Sequence, residues 1–412
     1  MEKPDTSAVA GTHTRALATE DRRSANSRTI ETVEIASVES RACCGEDLGK
    51  VPITGRERRT RIDLVFEKVV IHVDAEVKTC PHCAATIKGD FPGDLAGPVQ
   101  YGLGIKAFVL NLLVSQMVSL SRVQHLLKAL IGEVLAEAAL LKYVWLRHEA
   151  LARWESTSIE RLLRAPALHV DETSVRVDRH NRWVHVYATG DITLKFVHPK
   201  RGTEAIEAIG IIPRYGSVTI HDCWASYLSY THCGHGLCGA HLPRELTFIE
   251  EANGYAWAAN MKRLLRETCA AVSGRESRRL TEAEYATLQK RYRTILTRGS
   301  KELPPIPERV SGKRGRIAKS DAHNLWERLR DHETAVLLFA RRAEVAFTNN
   351  RAERDLRMGK VKQKVSGCFR QERFAEAYCR ISSYLQTMAY QGVNPLLTIQ
   401  LALSGEMYAR EG

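Results

Sequence analysis

Three acidic residues, far apart in the chain, stand where a metal-assisted attack on a phosphodiester would need them: Asp171, Asp222 and Glu353. Asp171 lies in Leu168-His-Val-Asp-Glu-Thr-Ser-Val175 and Asp222 in Val218-Thr-Ile-His-Asp-Cys-Trp224. Both interrupt or end apolar, β-branched runs, whereas Glu353, in Thr348-Asn-Asn-Arg-Ala-Glu-Arg354, opens a basic helical stretch. Mg²⁺ and Mn²⁺ are hard ions that bind carboxylate and water oxygens. Two of them about 3.5–4 Å apart can activate an attacking oxygen and stabilise the leaving one. Their ligands must converge from separate elements, and strand-Asp, strand-Asp, helix-Glu is such a set.

Each acid also has a plainer explanation. A single strand-end aspartate is often only a turn residue. Asn350 followed by Glu353 makes a capping-box pattern, which would fold that carboxylate back onto the helix N-terminus. The composition of the helix weighs against the second. Glu353, Arg357, Lys360 and Lys364 fall at i, i+4, i+7 and i+11 and share one face. Arg341 to Arg380 holds eleven Lys/Arg against five Asp/Glu. Solvated helices mix their signs, so this excess points to phosphate contact by Arg357, Lys360 and Lys364.

The elements that must position these groups follow from periodicity. From Leu168 onward, Val170 to Val177, Trp183 to Tyr187 and Leu194 to Val197 read as three strands with turns at 178–181 and 190–191. Helix 203–212, a fourth strand 217–221 and a fifth at 236–240 complete an α/β pattern. Three antiparallel strands, a helix and a further strand is the order of an RNase H-like mixed sheet. Alternation along the first strand sends Glu172 to the face opposite Asp171. Long helical patterns occupy 245–298 and 320–342, separated by a Pro-rich loop that carries Lys313-Arg-Gly-Arg316.

Upstream, residues 1–40 are polar and expected to be disordered. Residues 41–92 form a cysteine-bracketed module with β-prone runs at 64–66 and 69–73, followed by a Gly/Pro linker. Helical periodicity covers 105–163. One helix is expected through Leu110, Leu113, Val114, Met117 and Leu120, and a second from Val123 to Ile131 capped by Gly132. The junction Ser119-Leu-Ser-Arg122 is compatible with a helix-turn-helix.

At 412 residues the chain can hold two or three cores, and its net charge of +12 favours a polyanionic partner. The most apolar stretch, Leu103 to Leu120, is broken by Lys106, Asn111, Ser115 and Gln116, so it reads as a buried helix rather than a membrane span. The first 40 residues lack the apolar stretch of a secretion signal. A cytoplasmic setting is expected, with the ten cysteines reduced.

Cys80-Pro-His-Cys83 is a metal-knuckle pattern, and Cys43-Cys44-Gly45 lies upstream. Cys44, Cys80 and Cys83 are the expected zinc ligands, with Cys43, His72 or His82 as the fourth. Arg41 stands where a first C-x-x-C knuckle would need cysteine. A second group, His232, Cys233, His235, Cys238 and His241, has two readings. It could supply a zinc set. Alternatively, Cys238, His241 and Arg244 flank the fifth strand, where His241 would serve the scissile phosphate or a carboxylate and Arg244 would hold a phosphate.

Five blocks together resemble the insertion sequence 66 family of transposases: His169-Val-Asp-Glu-Thr173, His221-Asp-Cys-Trp-Ala-Ser-Tyr227, Leu237-Cys-Gly-Ala-His-Leu-Pro-Arg-Glu-Leu246, Phe347-Thr-Asn-Asn-Arg-Ala-Glu-Arg-Asp-Leu-Arg357 and Lys360-Val-Lys-Gln-Lys-Val-Ser-Gly-Cys-Phe-Arg370. The resemblance implies a DDE transposase in which Asp171, Asp222 and Glu353 bind magnesium, residues 165–244 and 346–400 form the catalytic core, 245–345 is a helical insertion and 401–412 a tail. It also implies a zinc-ribbon-like module, recognition of terminal inverted repeats and target DNA, and assembly as a homo-oligomer. Small accessory transposition proteins and association with the nucleoid belong to the same expectation. Two rivals remain: an RNase H-like nuclease or resolvase that only cuts, and an inactive DNA-binding protein on the same scaffold.

Overall fold

The computed structural model describes residues 15–19, 29–37, 44–63, 66–306 and 319–404. Chain contacts divide it into two compact units. One runs to Ile105 and takes in Gln124–Val134, and the other holds Lys106–Val123 and everything from Leu135 onward. Among the described residues no helix is long and apolar enough to cross a membrane.

The first unit is built mostly of exposed, irregular chain. Within the segment expected to lack structure, β1 (Arg15–Thr19) pairs antiparallel with β2 (Thr29–Val33). Both strands carry β-prone Thr, Ile, Val or Leu, which is enough for a local hairpin. β3 (Val77–Thr79) and β4 (Thr86–Lys88) form a second hairpin with the Cys80–Cys83 knuckle at its turn. The β-prone run at 69–73 forms no strand and Val69, Val70 and Ile71 are exposed. Strand preference is largely a preference for a pleated surface to pack on, and no such partner is present. Leu64, Val65, Arg41, Cys43 and the Lys313–Arg316 cluster lie outside the described residues.

Helix α1 (Leu103–Leu110) runs into a π-helical turn (Asn111–Ser115) and stops at Met117, which takes a positive φ of 56°. The single helix expected through Leu120 is therefore interrupted. Helix α2 (Leu120–Ile131) ends at Gly132, whose φ of 74° is the left-handed cap expected there. Helices α3 (Glu137–Ala150) and α4 (Ala152–Leu163) follow.

The second unit is organised on a five-stranded sheet. β5 (Ala167–Val177), β6 (His180–Ala188) and β7 (Thr193–His198) form an antiparallel meander. Asp178 and Arg179, both at positive φ, make the two-residue turn whose twist suits a hairpin. After α5 (Thr203–Ile209), β8 (Val218–His221) lies parallel to β5. After α6 (Ala225–Leu228), β9 (Gly234–Leu237) lies parallel to β8. The order is β7-β6-β5-β8-β9, with the longest strand at the centre. The fifth strand ends at Leu237 rather than Ala240, because Cys238 to Ala240 turn into the next helix.

Helices α7 (His241–Asn253), α8 (Ala256–Ser273), α9 (Glu282–Gly299), α10 (Asp321–Asp331) and α11 (Glu333–Arg341) share one apolar core. Trp257, Met261, Leu265, Tyr292 and Leu337 pack there with Val218, Ile220 and Leu237 of the sheet. The chain then returns as α12 (Asn350–Ser366), which packs on β5 and β6, and α13 (Glu372–Tyr390), which packs on β7 and α3. α14 (Pro395–Ser404) closes the described chain. Leu140, Tyr143 and Val144 of α3 are buried.

Candidate active site

The parallel register of β5 and β8 runs Ala167↔Val218, Leu168↔Thr219 and His169↔Ile220. Continued by two residues, it sets Asp171 level with Asp222 just past the end of β8. Side chains of paired residues in neighbouring strands share a face, so the two carboxylates are presented together. Asp171 Oδ1 accepts the Glu172 N–H at 2.8 Å, and Asp222 Oδ1 accepts the Trp224 N–H at 3.2 Å. Burial pushes the Asp171 carboxyl up to about 7, and the negative charges of Glu172, Asp222 and Glu353 add to the rise. Like charges within a few ångströms penalise ionisation in this way. The other two predicted acids thus both act on Asp171, although among the described residues the three carboxylates do not all approach one another within 4.8 Å.

Glu353 reaches this pocket because the start of α12 is bolted to the sheet. Asn349, 2% exposed, donates from Nδ2 to Val170 O at 2.8 Å and bonds His169 Nδ1 through Oδ1 at 3.0 Å. Its backbone N–H points to Cys238 Sγ at 3.1 Å. The helix is capped at Asn349, not Asn350, and no side-chain cap bond forms, so the capping box does not hold the Glu353 carboxylate. Two residues on, the Arg351 guanidinium donates to Thr189 O, Thr193 Oγ1 and Asp355 Oδ2, all at 2.8–2.9 Å. Buried Asp355 also accepts from Thr193 Oγ1 and Tyr390 Oη. Such a fully paired network fixes the helix on the β6–β7 hairpin. Behind it, Gly239 N donates to Phe347 O at 2.6 Å, and a Cβ on Gly239 would meet the Phe347 ring at 2.4 Å. Only glycine fits there.

Glu172 occupies the other side of β5, as alternation requires. Its buried carboxylate pairs with Arg201 at 2.6 Å and accepts a bond from Tyr227 Oη. The Arg201 guanidinium lies over Trp224 and Trp183, 4.3 and 5.0 Å from their ring centres. A comparison with families of known proteins matches residues 98–377 to the transposase IS66 family. The chain belongs to that family. The matched span contains Asp171, Asp222, Glu353, Asn349, Arg351 and Asp355, and begins after the Cys80–Cys83 knuckle. No curated protein matches the chain.

The remaining groups of this family member divide by position. Cys238 continues β9 beside Asp222, its N–H bonded to His221 O at 2.9 Å, and His241 opens α7. Cys238 Sγ and His241 Nδ1 each lie 3.8 Å from Glu353 Oε1. Within the second cysteine–histidine group, His232 bonds Ile212 O, while His235 bonds Tyr230 O and His221. These rings serve the fold and do not join Cys238 and His241. Buried His221 is held down to about pH 3 by desolvation and is neutral.

Arg357, Lys360 and Lys364 are exposed along α12, as expected of one face. Lys360 Nζ bonds Ser174 O at 2.9 Å and Ser174 Oγ at 3.1 Å, so it also ties the helix to β5. Arg357 and Lys364 form no ion pair among the described residues. Exposed Arg244 bonds Ala240 O through Nε at 3.1 Å, at the start of α7. In the first unit, Cys80 N donates to Ala85 O and Ala84 N to Cys80 O, closing the knuckle. Backbone N–H groups of Cys83 and His82 hold the Cys80 thiol below its ordinary range. Among the described residues Cys44 does not join Cys80 and Cys83 in one converged ligand set.

Proposed function

We propose that this chain is a DDE-type transposase with an RNase H-like core, which binds the ends of its element, cleaves DNA there and transfers the freed strand to target DNA. The observation that carries the reading is that Asp222, aligned with Asp171 by the β5–β8 register, and Glu353, brought in by the Asn349 anchor, both act on the Asp171 carboxyl. The strand order, with a three-stranded meander extended by two parallel strands, supports the same core. The oxygen donors suit a pair of Mg²⁺ or Mn²⁺ ions: a carboxyl pushed up to about 7 by burial and then by neighbouring negative charge is one that a cation would return to its ionised form. When bound, those ions supply Lewis-acid activation of the attacking oxygen and stabilise the leaving one.

The chain supplies the geometry. Asp171 is aimed by a strand and Asp222 by its bond to Trp224 N, while Glu353 closes the set from a helix fixed at both turns. Arg357, Lys360 and Lys364 continue from Glu353 along α12 and carry the DNA backbone past the acids, with Arg244 contributing from α7. His241 stands beside Glu353, in reach of a carboxylate or a phosphate oxygen. Residues 245–345 act as a helical insertion. The cysteine module, with Cys44, Cys80, Cys83 and Cys43 on one Zn²⁺, and the helices of 105–163 direct the protein to terminal inverted repeats. The working form is a homo-oligomer that pairs two DNA ends, aided by small accessory proteins at the nucleoid.

The test uses labelled duplexes carrying the inverted repeats that flank the gene, with Mg²⁺ or Mn²⁺. Asp171→Asn, Asp222→Asn and Glu353→Gln should each abolish cleavage and strand transfer while end binding survives. Near-normal cleavage by Glu353→Gln would remove Glu353 from the catalytic set.

A further inference from the structure

Glu353 has neighbours of a second chemical kind. Cys238 Sγ, His241 Nδ1 and a Glu353 carboxylate oxygen lie within 4.8 Å of one another. Both the sulfur and the imidazole nitrogen are 3.8 Å from Glu353 Oε1. Tetrahedral zinc, with a Zn–S bond of about 2.3 Å and Zn–N and Zn–O bonds near 2.0 Å, needs ligand–ligand edges of about 3.3–3.5 Å. A contraction of a few tenths of an ångström closes the two edges to Glu353, and the Cys238–His241 edge, within 4.8 Å, closes by side-chain rotation.

Two geometric observations bear on an ion here. His241 Nδ1 is buried and has no hydrogen-bond partner among the described residues. Cys238 Sγ is held in place by the Asn349 N–H at 3.1 Å, while burial raises its thiol, so a bound ion would have to displace the proton. Thiolate is the form that binds metal. The three side chains also stand on the end of β9, the first residue of α7 and the first turn of α12, so their positions are set by the fold. Sulfur and imidazole select against Mg²⁺, which takes oxygen ligands, and favour zinc-like ions.

We propose that Cys238, His241 and Glu353 form a Zn²⁺ site, with water in the fourth position, whose occupation withdraws Glu353 from the oxygen set shared with Asp171 and Asp222. Glu353 is then a two-way ligand. In the oxygen set it serves catalysis; in the sulfur–nitrogen set it holds the pocket inactive. The regulatory half of this proposal rests on the catalytic role given to Glu353 above, whereas the metal site itself does not.

The experiment titrates the reduced full-length chain with Co²⁺, comparing it with Cys238→Ser and His241→Gln. Because the N-terminal cysteines also bind cobalt, the readout is the difference between proteins. Wild type should take up one more equivalent than Cys238→Ser, with a sulfur-to-cobalt band in the near ultraviolet and tetrahedral bands in the visible. His241→Gln should keep the sulfur band but bind at least about 10–100-fold more weakly, the loss typical of disturbed metal sites. Identical spectra and stoichiometry in wild type and Cys238→Ser would overturn the site. A second arm adds Zn²⁺ to end cleavage at fixed Mg²⁺, each protein scored against its own zinc-free rate. Cys238→Ser should need at least about tenfold more Zn²⁺ for half inhibition. Equal sensitivity would overturn the switch. If wild type fails to cleave at all, the transposase reading falls, and the cobalt titration still decides the metal site.

Discussion

Asp171 keeps its proton to about pH 7 in the folded chain, against 3.8 for an ordinary aspartate. Between those values the unfolded chain has released a proton that the folded chain retains. Stability therefore falls as pH rises through this window and levels off above it. At about 1.4 kcal/mol per pKa unit, a gap of about three units amounts to at most about 4 kcal/mol. Asp171→Asn removes the titration but preserves the oxygen that accepts the Glu172 N–H. Without divalent cations, the variant should be about 2–4 kcal/mol more stable than wild type at pH 8 and equal to it near pH 4. Mg²⁺ should stabilise wild type more at pH 8 than at pH 5 and should have a much smaller effect on the variant. Urea unfolding followed by tryptophan fluorescence at each pH, with and without Mg²⁺, measures all of these. A wild-type-to-variant difference that stays constant from pH 4 to pH 8 would refute the raised Asp171 carboxyl, whether from burial or from neighbouring charge.

Asn349→Ala leaves Val170 O and His169 Nδ1 without their partner, which should cost about 1–3 kcal/mol of stability. It should also slow cleavage by up to about 10²-fold by loosening Glu353, and an unchanged rate would transfer the anchoring to Arg351 and Asp355. Arg357→Ala with Lys364→Ala should weaken DNA binding for any sequence and reduce the salt slope of binding by about 2, at roughly 0.9 per phosphate contact. An unchanged slope would make α12 an ordinary solvated helix. Cys80→Ser with Cys83→Ser should lose zinc and specific end recognition while metal-dependent nicking persists. Metal analysis of the reduced protein, with less than about one equivalent bound and the hairpin intact, would show a module that folds without the ion.

Much of the five-stranded sheet was legible because its cues are local. Alternating Val and polar residues mark β5, the polar turn at Asp178 and Arg179 marks the hairpin, and a β-branched run delivers Asp222 to a strand end. What escaped depends on distant partners. Asn349 looks like one more helix-start residue, yet its side chain is committed to His169 and Val170, on a strand far upstream. That commitment is also why Glu353 avoids the capping box its spacing suggests. Arg351 and Asp355 read as one more i, i+4 surface pair, although Asp355 is buried and Arg351 half-buried against the β6–β7 hairpin. The opposite error occurred at 69–73, where β-branched residues with nothing to pair against stay irregular.

The contact between Gly239 and Phe347 sets a timetable. During synthesis the ribosome releases Asp171 and Asp222 well before Phe347, Asn349 and Glu353, and the described residues in between form six helices, α6 to α11. The end of β9 waits with a vacant slot opposite Gly239 until the returning chain fills it. Non-local pairings of this kind form late, after the units between them have folded. Under the proposed function, competence to cut is therefore the last property this chain acquires. A product that stops before Thr348, through an early stop codon or a frameshift, carries two of the acids and the upstream helices but no third acid and no α12. On that proposal such a fragment would occupy DNA without breaking it, so incomplete synthesis would yield competitors of the full chain rather than unregulated nucleases.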